Sequence, residues 1–300
     1  MSYHEPVMLL QCIEGLNIRQ DGIYTDVTFG GGGHSKAILE HLGEKGRLFA
    51  FDQDEDAQVN RIADQRFTLI RDNFRNMQQH LSQQQALPLS GILADLGVSS
   101  HQFDEPGRGF SIRFDHDLDM RMDTRTGTTA LEILNSGSEK ELVAIFSGYG
   151  EVKNSKTLAA AIIQQRNKHP FTDAASLRNA IAHLVPKAAA TQYMAQVYQA
   201  LRIEVNDELA ALKDLLVQSA ASLEKGGRLV VMSYHSLEDR LVKNFISKGN
   251  FEGDDNKDIY GNPIGLAFKS LTKKPIVPDE SEIRRNPRSR SARLRIAEKL

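Results

Sequence analysis

The chain has 300 residues, 40% of them hydrophobic and 25% charged, which suits one large core or two smaller ones and excludes a disordered polymer. Its single cysteine, Cys12, excludes an intramolecular disulfide framework, and no Cys/His spacing suits a structural zinc site, so no metal is expected. The formal net charge is -2, no run approaches the roughly 20 apolar residues of a membrane helix, and the start Met-Ser-Tyr-His-Glu lacks a basic segment followed by an apolar one, so a cytoplasmic protein without a membrane partner is expected.

In chain order, Val7, Met8, Leu9, Cys12, Ile13 and Leu16 recur at helical spacing and predict a short amphipathic helix over residues 7–16. Residues 22–28 form a β-rich run that stops at four glycines, and Ser35 to Leu42 reads as a helix. Arg47 to Asp52 reads as a second buried strand, residues 55–65 as helical, Phe67 to Arg71 as a third strand and Gly91 to Leu96 as a fourth. Strands alternating with helices imply parallel βαβ units and a doubly wound α/β sheet. The alternation breaks at about residue 104. A polar, charged stretch reaches 125, and 128–222 holds only helical patterns, with Pro170 and Pro186 as boundaries. Strand character returns at 227–233, after a helix expected to close at Gly226-Gly227. Two further strands are expected at 267–271 and 292–297, and an exposed loop at 249–263. The expected domains are therefore 1–104 and 209–300, which share one sheet, with an inserted all-helical domain at 105–208.

The turn Asp26-Val-Thr-Phe-Gly30-Gly-Gly-Gly-His34-Ser35 lies where the first strand passes into the first helix, the place where an open α/β sheet binds its ligand. Glycine there permits positive φ and lets the backbone lie against a nucleotide. Asp52 ends the second strand some twenty residues on, where a carboxylate can accept from both ribose hydroxyls; a helix N-cap is its alternative. A dinucleotide fingerprint would need a third glycine where Ser35 or Lys36 stands, and a P-loop would need Gly-Lys-Ser/Thr where His34-Ser35-Lys36 stands. A glycine turn and a ribose acid without a phosphate cradle fit an adenosine cofactor whose far end is a methionine moiety. Phe74, after the third strand, either stacks on the adenine or belongs to the core.

Asp95-Leu-Gly-Val-Ser99-Ser-His-Gln102 ends the fourth strand at the same sheet edge, where polar groups more often bind or react than support the fold. Ser233 to Arg240 ends the fifth. There Tyr234 or His235 can hold a flipped base by stacking, and a capping box of Ser236 with Asp239 is the alternative. The spacing of Asp115, Asp117 and Asp119 invites a calcium loop, but Met120 and Thr126 stand where glycine and glutamate are required. Alternating with Arg113, Arg121 and Arg125, these acids read as ion pairs that hold the insert against the sheet. Residues 269–300 carry ten Lys/Arg against four acids, so this stretch is +6 and the rest of the chain -8. It is either a solvated face or a phosphate-binding one.

Taken together, these segments resemble the RsmH (MraW) family of bacterial 16S ribosomal RNA methyltransferases. The matching stretches are His4 to Met8, Asp26 to Ser35, Asp95 to Ser100, Arg108 to Ser111, Leu118 to Asp123, Gln199 to Leu209, Ser233 to Arg240 and Asn286 to Ala292, in family order along nearly the whole chain. The resemblance implies a class I, Rossmann-like fold with a helical insert that uses S-adenosylmethionine to methylate the N4 amine of cytosine 1402. Its implied partner is 16S rRNA, free or in the 30S subunit, and its implied state is a monomer or weak homodimer. Family cofactor contacts fall on Gly32, Gly33, His34, Asp52, Phe74, Asp95 and Gln102. His101, Tyr234 and Val152 depart from the usual residues, as does the stretch Ala188 to Val197.

A sulfonium methyl is already activated, so the demand falls on placing the acceptor amine, whose lone pair is delocalised into the ring. Asp95, helped by the Ser99 region, is the candidate acceptor for its N–H groups, and the His235 segment the candidate that positions the base. A methyltransferase for protein or small molecules, a non-enzymatic ribosome-assembly factor and a nicotinamide oxidoreductase are the rival functions.

Overall fold

In the computed structural model, which describes residues 6–113, 115–255 and 264–300, the β-rich segments join a seven-stranded sheet. The strands are β1 (Ile23–Asp26), β2 (Arg47–Phe51), β3 (Phe67–Ile70), β4 (Leu89–Asp95), β5 (Leu223–Ser233), β6 (Phe268–Ser270) and β7 (Arg293–Lys299), in the order β3-β2-β1-β4-β5-β7-β6. Strands β1 to β5 pair in parallel, and β7 runs antiparallel to both β5 and β6. This is the doubly wound sheet of the class I methyltransferase fold. Its order reverses direction between β1 and β4, so the carboxyl ends of those two strands flank the topological switch point.

Burial on both faces explains why the strands read as continuous apolar runs. Side chains alternate along each strand: Leu48, Ala50, Leu93, Val230 and Met232 join one core with Cys12, Leu16 and Ile38, whereas Phe49, Phe51, Ile92, Ala94, Leu229 and Val231 join the other with Leu212, Leu215 and Phe245. The first core is covered by α1 (Leu9–Leu16) and α2 (Gly33–His41). The second receives α3 (Met77–Gln83).

The chain divides into two compact units, Met1–Gly97 with Leu209–Leu300, and Val98–Glu208. The second unit contains α4 (Ser100–Asp104), α5 (Ala130–Ser136), α6 (Glu139–Gly148), α7 (Ser155–Lys168), α8 (Ala174–Ile181) and α9 (Ala190–Asn206), and no strand among its described residues. It has its own core, built around Phe146, Leu158, Leu177, Val197 and Leu201, and Val98 and Phe103 already pack on it. The acids of the 115–125 region pair inside this unit: Arg121 with Asp119 (2.8 Å), Arg125 with Asp123 (2.7 Å) and Arg178 with Asp115. The sheet resumes after α10 (Glu208–Ser222) and is followed by α11 (Ser236–Lys248) and α12 (Glu280–Arg285).

Three expectations are corrected. Residues 55–65 form only a 3-10 turn, Glu55–Asn60, of whose apolar residues Ala57 is buried while Val59 is 86% exposed. Helix α10 ends at Ser222 instead of at the Gly226-Gly227 pair, since Leu223 is buried and already pairs with Leu89 in the sheet. Ser236 is not the cap of α11; His235 is, for the reason given below. Residues 256–263 of the expected 249–263 loop, and His4 and Glu5 of the first matching stretch, lie outside the described residues. Among the described residues no helix is long and apolar enough to cross a membrane.

Candidate active site

The turn after β1 is held from both sides. Val27 N–H donates to the Leu93 carbonyl and Phe29 N–H to the Phe51 carbonyl (both 2.9 Å), so the loop continues the ladder toward β4 and β2 before it breaks away at the glycines. Gly32 takes φ +75°, which an L side chain rarely adopts, and a Cβ there would stand 2.9 Å from the Phe29 ring. A Cβ on Gly33 would overlap Pro6. The missing side chains at 32 and 33 therefore admit the chain's own Phe29 and Pro6, a packing reason that the glycine run alone did not disclose.

Three carboxylates converge on this turn from the ends of β1, β2 and β4. Asp26 is buried and accepts from the Ser35 hydroxyl (2.7 Å) and the Thr28 N–H (3.1 Å); burial pushes its carboxyl up, with His34 and these bonds opposing. Asp52 accepts from Gly30 N–H at 2.8 Å and from Asp54 N–H at 2.9 Å, one on each oxygen. Burial raises it to about 6 despite those two bonds. Each oxygen keeps a further lone pair, so the carboxylate that fixes the turn still has acceptors to offer. Asp95 is tied in by its own N–H, which donates to the Thr28 hydroxyl (2.7 Å), while its Oδ1 accepts from the Tyr234 hydroxyl (2.8 Å). Its carboxyl is also raised to about 6, by burial first, with His34 and Tyr234 lowering it and Asp26 and Glu238 adding to the rise.

His34 stands at the first turn of α2 with only 7% of its side chain exposed. Its Nε2 lies 3.1 Å from the Val7 carbonyl, which can only accept, so Nε2 carries a hydrogen. Its Nδ1 faces Asp95 Oδ2 at 3.8 Å, beyond hydrogen-bonding distance. The ring thus pins the segment before α1 and lends Asp95 a nearby basic group. Phe74 is half-buried, opens the 3-10 turn Phe74–Asn76 under an Asn73 cap, and packs against the Phe49/Phe51 core.

His235 caps α11. Glu238 N–H donates to its Nδ1 (3.4 Å), and Glu238 Oε2 accepts in return from the N–H groups of Tyr234 (2.9 Å) and His235 (3.3 Å). The box is one residue earlier than a Ser-x-x-Asp reading places it, because an imidazole nitrogen accepts as a hydroxyl does. With Nδ1 accepting, the proton of the neutral ring is on Nε2, which is buried 3.1 Å from Glu238 Oε1 without a directed hydrogen bond. Ser99 and Gln102 lie in the helical unit and cap its first helix reciprocally: Ser99 N–H donates to Gln102 Oε1 (2.9 Å), and Gln102 N–H to Ser99 Oγ (3.2 Å). Gln102 is buried there.

Asp26, Thr28 and the hydroxyl of Tyr234 were given no such role by sequence. Asp26 had a usable signal, since it ends a strand at the same edge as Asp52 and Asp95. The Tyr234–Asp95 bond had none, for its partners are 139 residues apart.

A family model described as the MraW methylase family matches residues 1–300. The chain belongs to that family. Relatives named "Ribosomal RNA small subunit methyltransferase H" include that of Flavobacterium johnsoniae, 52% identical over 300 residues with 100% of this chain and 99% of the relative covered, and that of Cytophaga hutchinsonii, 54% identical over 299 residues with 99% of each covered. A solved rRNA methylase from Streptococcus thermophilus is similar at a TM-score of 0.43 and 14% identity, covering 100% of this chain and 99% of that one. The MraW family match spans the glycine turn, the three carboxylates and the Tyr234–Arg240 segment alike.

Proposed function

We propose that this MraW methylase transfers the methyl group of S-adenosylmethionine to small-subunit ribosomal RNA, at the N4 amine of a cytosine corresponding to position 1402 of 16S rRNA. The observation that carries the cofactor is the sign of the site: Asp26, Asp52 and Asp95 gather at the glycine turn, with His34 as the basic group beside Asp26 and Asp95. Such a lining repels a pyrophosphate and favours a ligand bearing a sulfonium and an ammonium. In this reading the turn at Gly32, Gly33 and His34 lies along the methionine moiety, Asp52 accepts from the ribose hydroxyls with its remaining lone pairs, and Phe74 faces the adenine. The RNA substrate is supported by family membership and by the names of relatives that align along their full length.

When bound, S-adenosylmethionine supplies an activated methyl electrophile. The chain's own residues present the nucleophile. Tyr234 occupies Asp95 Oδ1, which leaves Oδ2 to accept from an N–H of the cytosine amine. That bond draws the amine toward the pyramidal form whose lone pair is free to attack in line; as the N–CH3 bond forms the methyl–sulfur bond breaks with its electron pair staying on the departing thioether, and the ionised carboxylate steadies the positive charge on nitrogen and takes its surplus proton.

The test offers methyl-labelled cofactor with naked small-subunit RNA, assembled 30S subunits and protein extract in separate reactions, followed by mass mapping of nucleosides. Label in N4-methylcytidine at position 1402 is expected. Label in protein, or on another base, overturns the assignment.

A further inference from the structure

The antiparallel register of β5 and β7 sets Arg293 opposite Ser233, so the residues leaving β5 and those entering β7 face each other at one end of the sheet. Between them lies a cleft lined by Tyr234, His235, Ser236, Arg290, Ser291 and Arg293. Tyr234 belongs both to this cleft and, through its hydroxyl, to Asp95.

The charges around the cleft do not cancel. Asp239 is held by Arg295, whose Nε donates to Oδ1 (2.7 Å) and Nη2 to Oδ2 (3.0 Å) in a bidentate pair with 10% of each side chain exposed. Arg293 donates to the same carboxylate through one nitrogen at 3.3 Å while 49% of its side chain stays exposed. One carboxylate shared by two guanidinium groups leaves Arg293 oriented but not neutralised, with most of its five N–H donors unspent. Arg290, on the neighbouring 3-10 turn Pro287–Ser291, is exposed, and no carboxylate pairs with it among the described residues. Glu238 is buried, accepts from the Tyr234 and His235 amides, and lies 3.1 Å from His235 Nε2. The two exposed guanidinium groups that line it, Arg290 and Arg293, leave the cleft positive.

We propose that this cleft is a phosphodiester subsite, in which Arg290 and Arg293 take a backbone phosphate of the strand next to the base presented to Asp95. The proposal rests on the RNA-methylating reading and deepens it: within the basic 269–300 stretch, Arg295 is structural and Arg290 and Arg293 are the phosphate contacts. A planar guanidinium fork matches a phosphate's oxygens, and a phosphate held here fixes the strand without reading its sequence.

The experiment measures binding of a single-stranded small-subunit RNA fragment against salt for the wild type, Arg290→Ala, Arg293→Ala, Arg293→Lys and the double alanine variant, with cofactor affinity by calorimetry on each. Each alanine change is expected to flatten the slope of log K on log salt by about 0.7, and the pair by about 1.4. The Km for RNA should rise on the order of tenfold with cofactor affinity unchanged, and Arg293→Lys should keep the slope. Slopes equal to wild type in Arg290→Ala and in the double variant overturn the subsite. Should Arg293→Ala lower the melting temperature by unsettling Asp239, Arg290→Ala decides alone, since among the described residues its side chain bonds no other group. Binding is read without turnover, so a wild type that holds the fragment with the expected slopes but methylates no small-subunit RNA refutes the function above and leaves the subsite standing.

Discussion

Asp95 illustrates how one side chain acquires a task from its neighbours. Burial raises its carboxyl to about 6 although His34 and Tyr234 pull the other way, which leaves it ionised at physiological pH and still a good acceptor. Removing the tyrosine hydroxyl removes one of the two restraining influences, so Tyr234→Phe raises the Asp95 carboxyl further. The acid limb of kcat/Km should then move to higher pH: activity at pH 6 falls several-fold, on the order of 3- to 10-fold, while activity at pH 8 stays within about twofold. A purely structural tyrosine would lower both equally, and that result would remove the positioning role.

At the scale of elements, α11 is tied to the sheet by the Asp239–Arg295 pair, in which burial opposes ionisation of Asp239 and the two arginines outweigh it, holding its carboxyl below the ordinary value. Asp239→Ala leaves Arg295 charged inside β7 and should cost about 3–5 kcal/mol in chemical denaturation. The double change Asp239→Ala with Arg295→Met should recover most of that loss; if it does not, the pair is not the source of the cost. Much of this layer was legible beforehand. The period-two strands, the glycine turn and the acid closing β2 follow from local pattern, and the sheet's split by a helical segment follows from where strand character stops and returns. What escaped has separate causes. Leu223 left its helix because the distant Leu89 offered a strand partner, residues 55–65 bury Ala57 but leave Val59 exposed, and the His235 imidazole accepts the capping bond in place of the Ser236 hydroxyl.

For the whole molecule, the carboxylates of the site set stability and ligand binding against each other. Asp52 and Asp95 both titrate at about 6 in the folded chain against 3.8 when unfolded, so the native state binds more protons than the unfolded one between those values. Their contribution to stability is complete below about pH 4 and is lost as pH rises through about 6. Acids held low by partners, such as Asp72, Asp119 and Asp239, act in the opposite sense, but only below their ordinary range. The cofactor-free protein should therefore melt at a higher temperature at pH 5 than at pH 7. Affinity for the cationic cofactor should instead be weaker at pH 5 than at pH 7, because binding needs the ionised forms. Scanning and titration calorimetry at pH 5 to 8 check both, and parallel trends would contradict the assignment of these two carboxylates to a cation.

The position of β7 has a consequence for how such a chain matures on the ribosome. Residues 293–299 do not extend the sheet at its rim but wedge between β5 and β6, and β6 pairs with nothing else named in the sheet. Until that late segment emerges, the flank of β5 stays an open row of amides and carbonyls, an invitation to aggregation and to proteases. The contiguous 98–208 unit, with a core of its own, is free to consolidate long before. Translation halted short of residue 293 should accordingly yield a settled helical body attached to a sheet that lacks β7 and the β6 pairing it supplies.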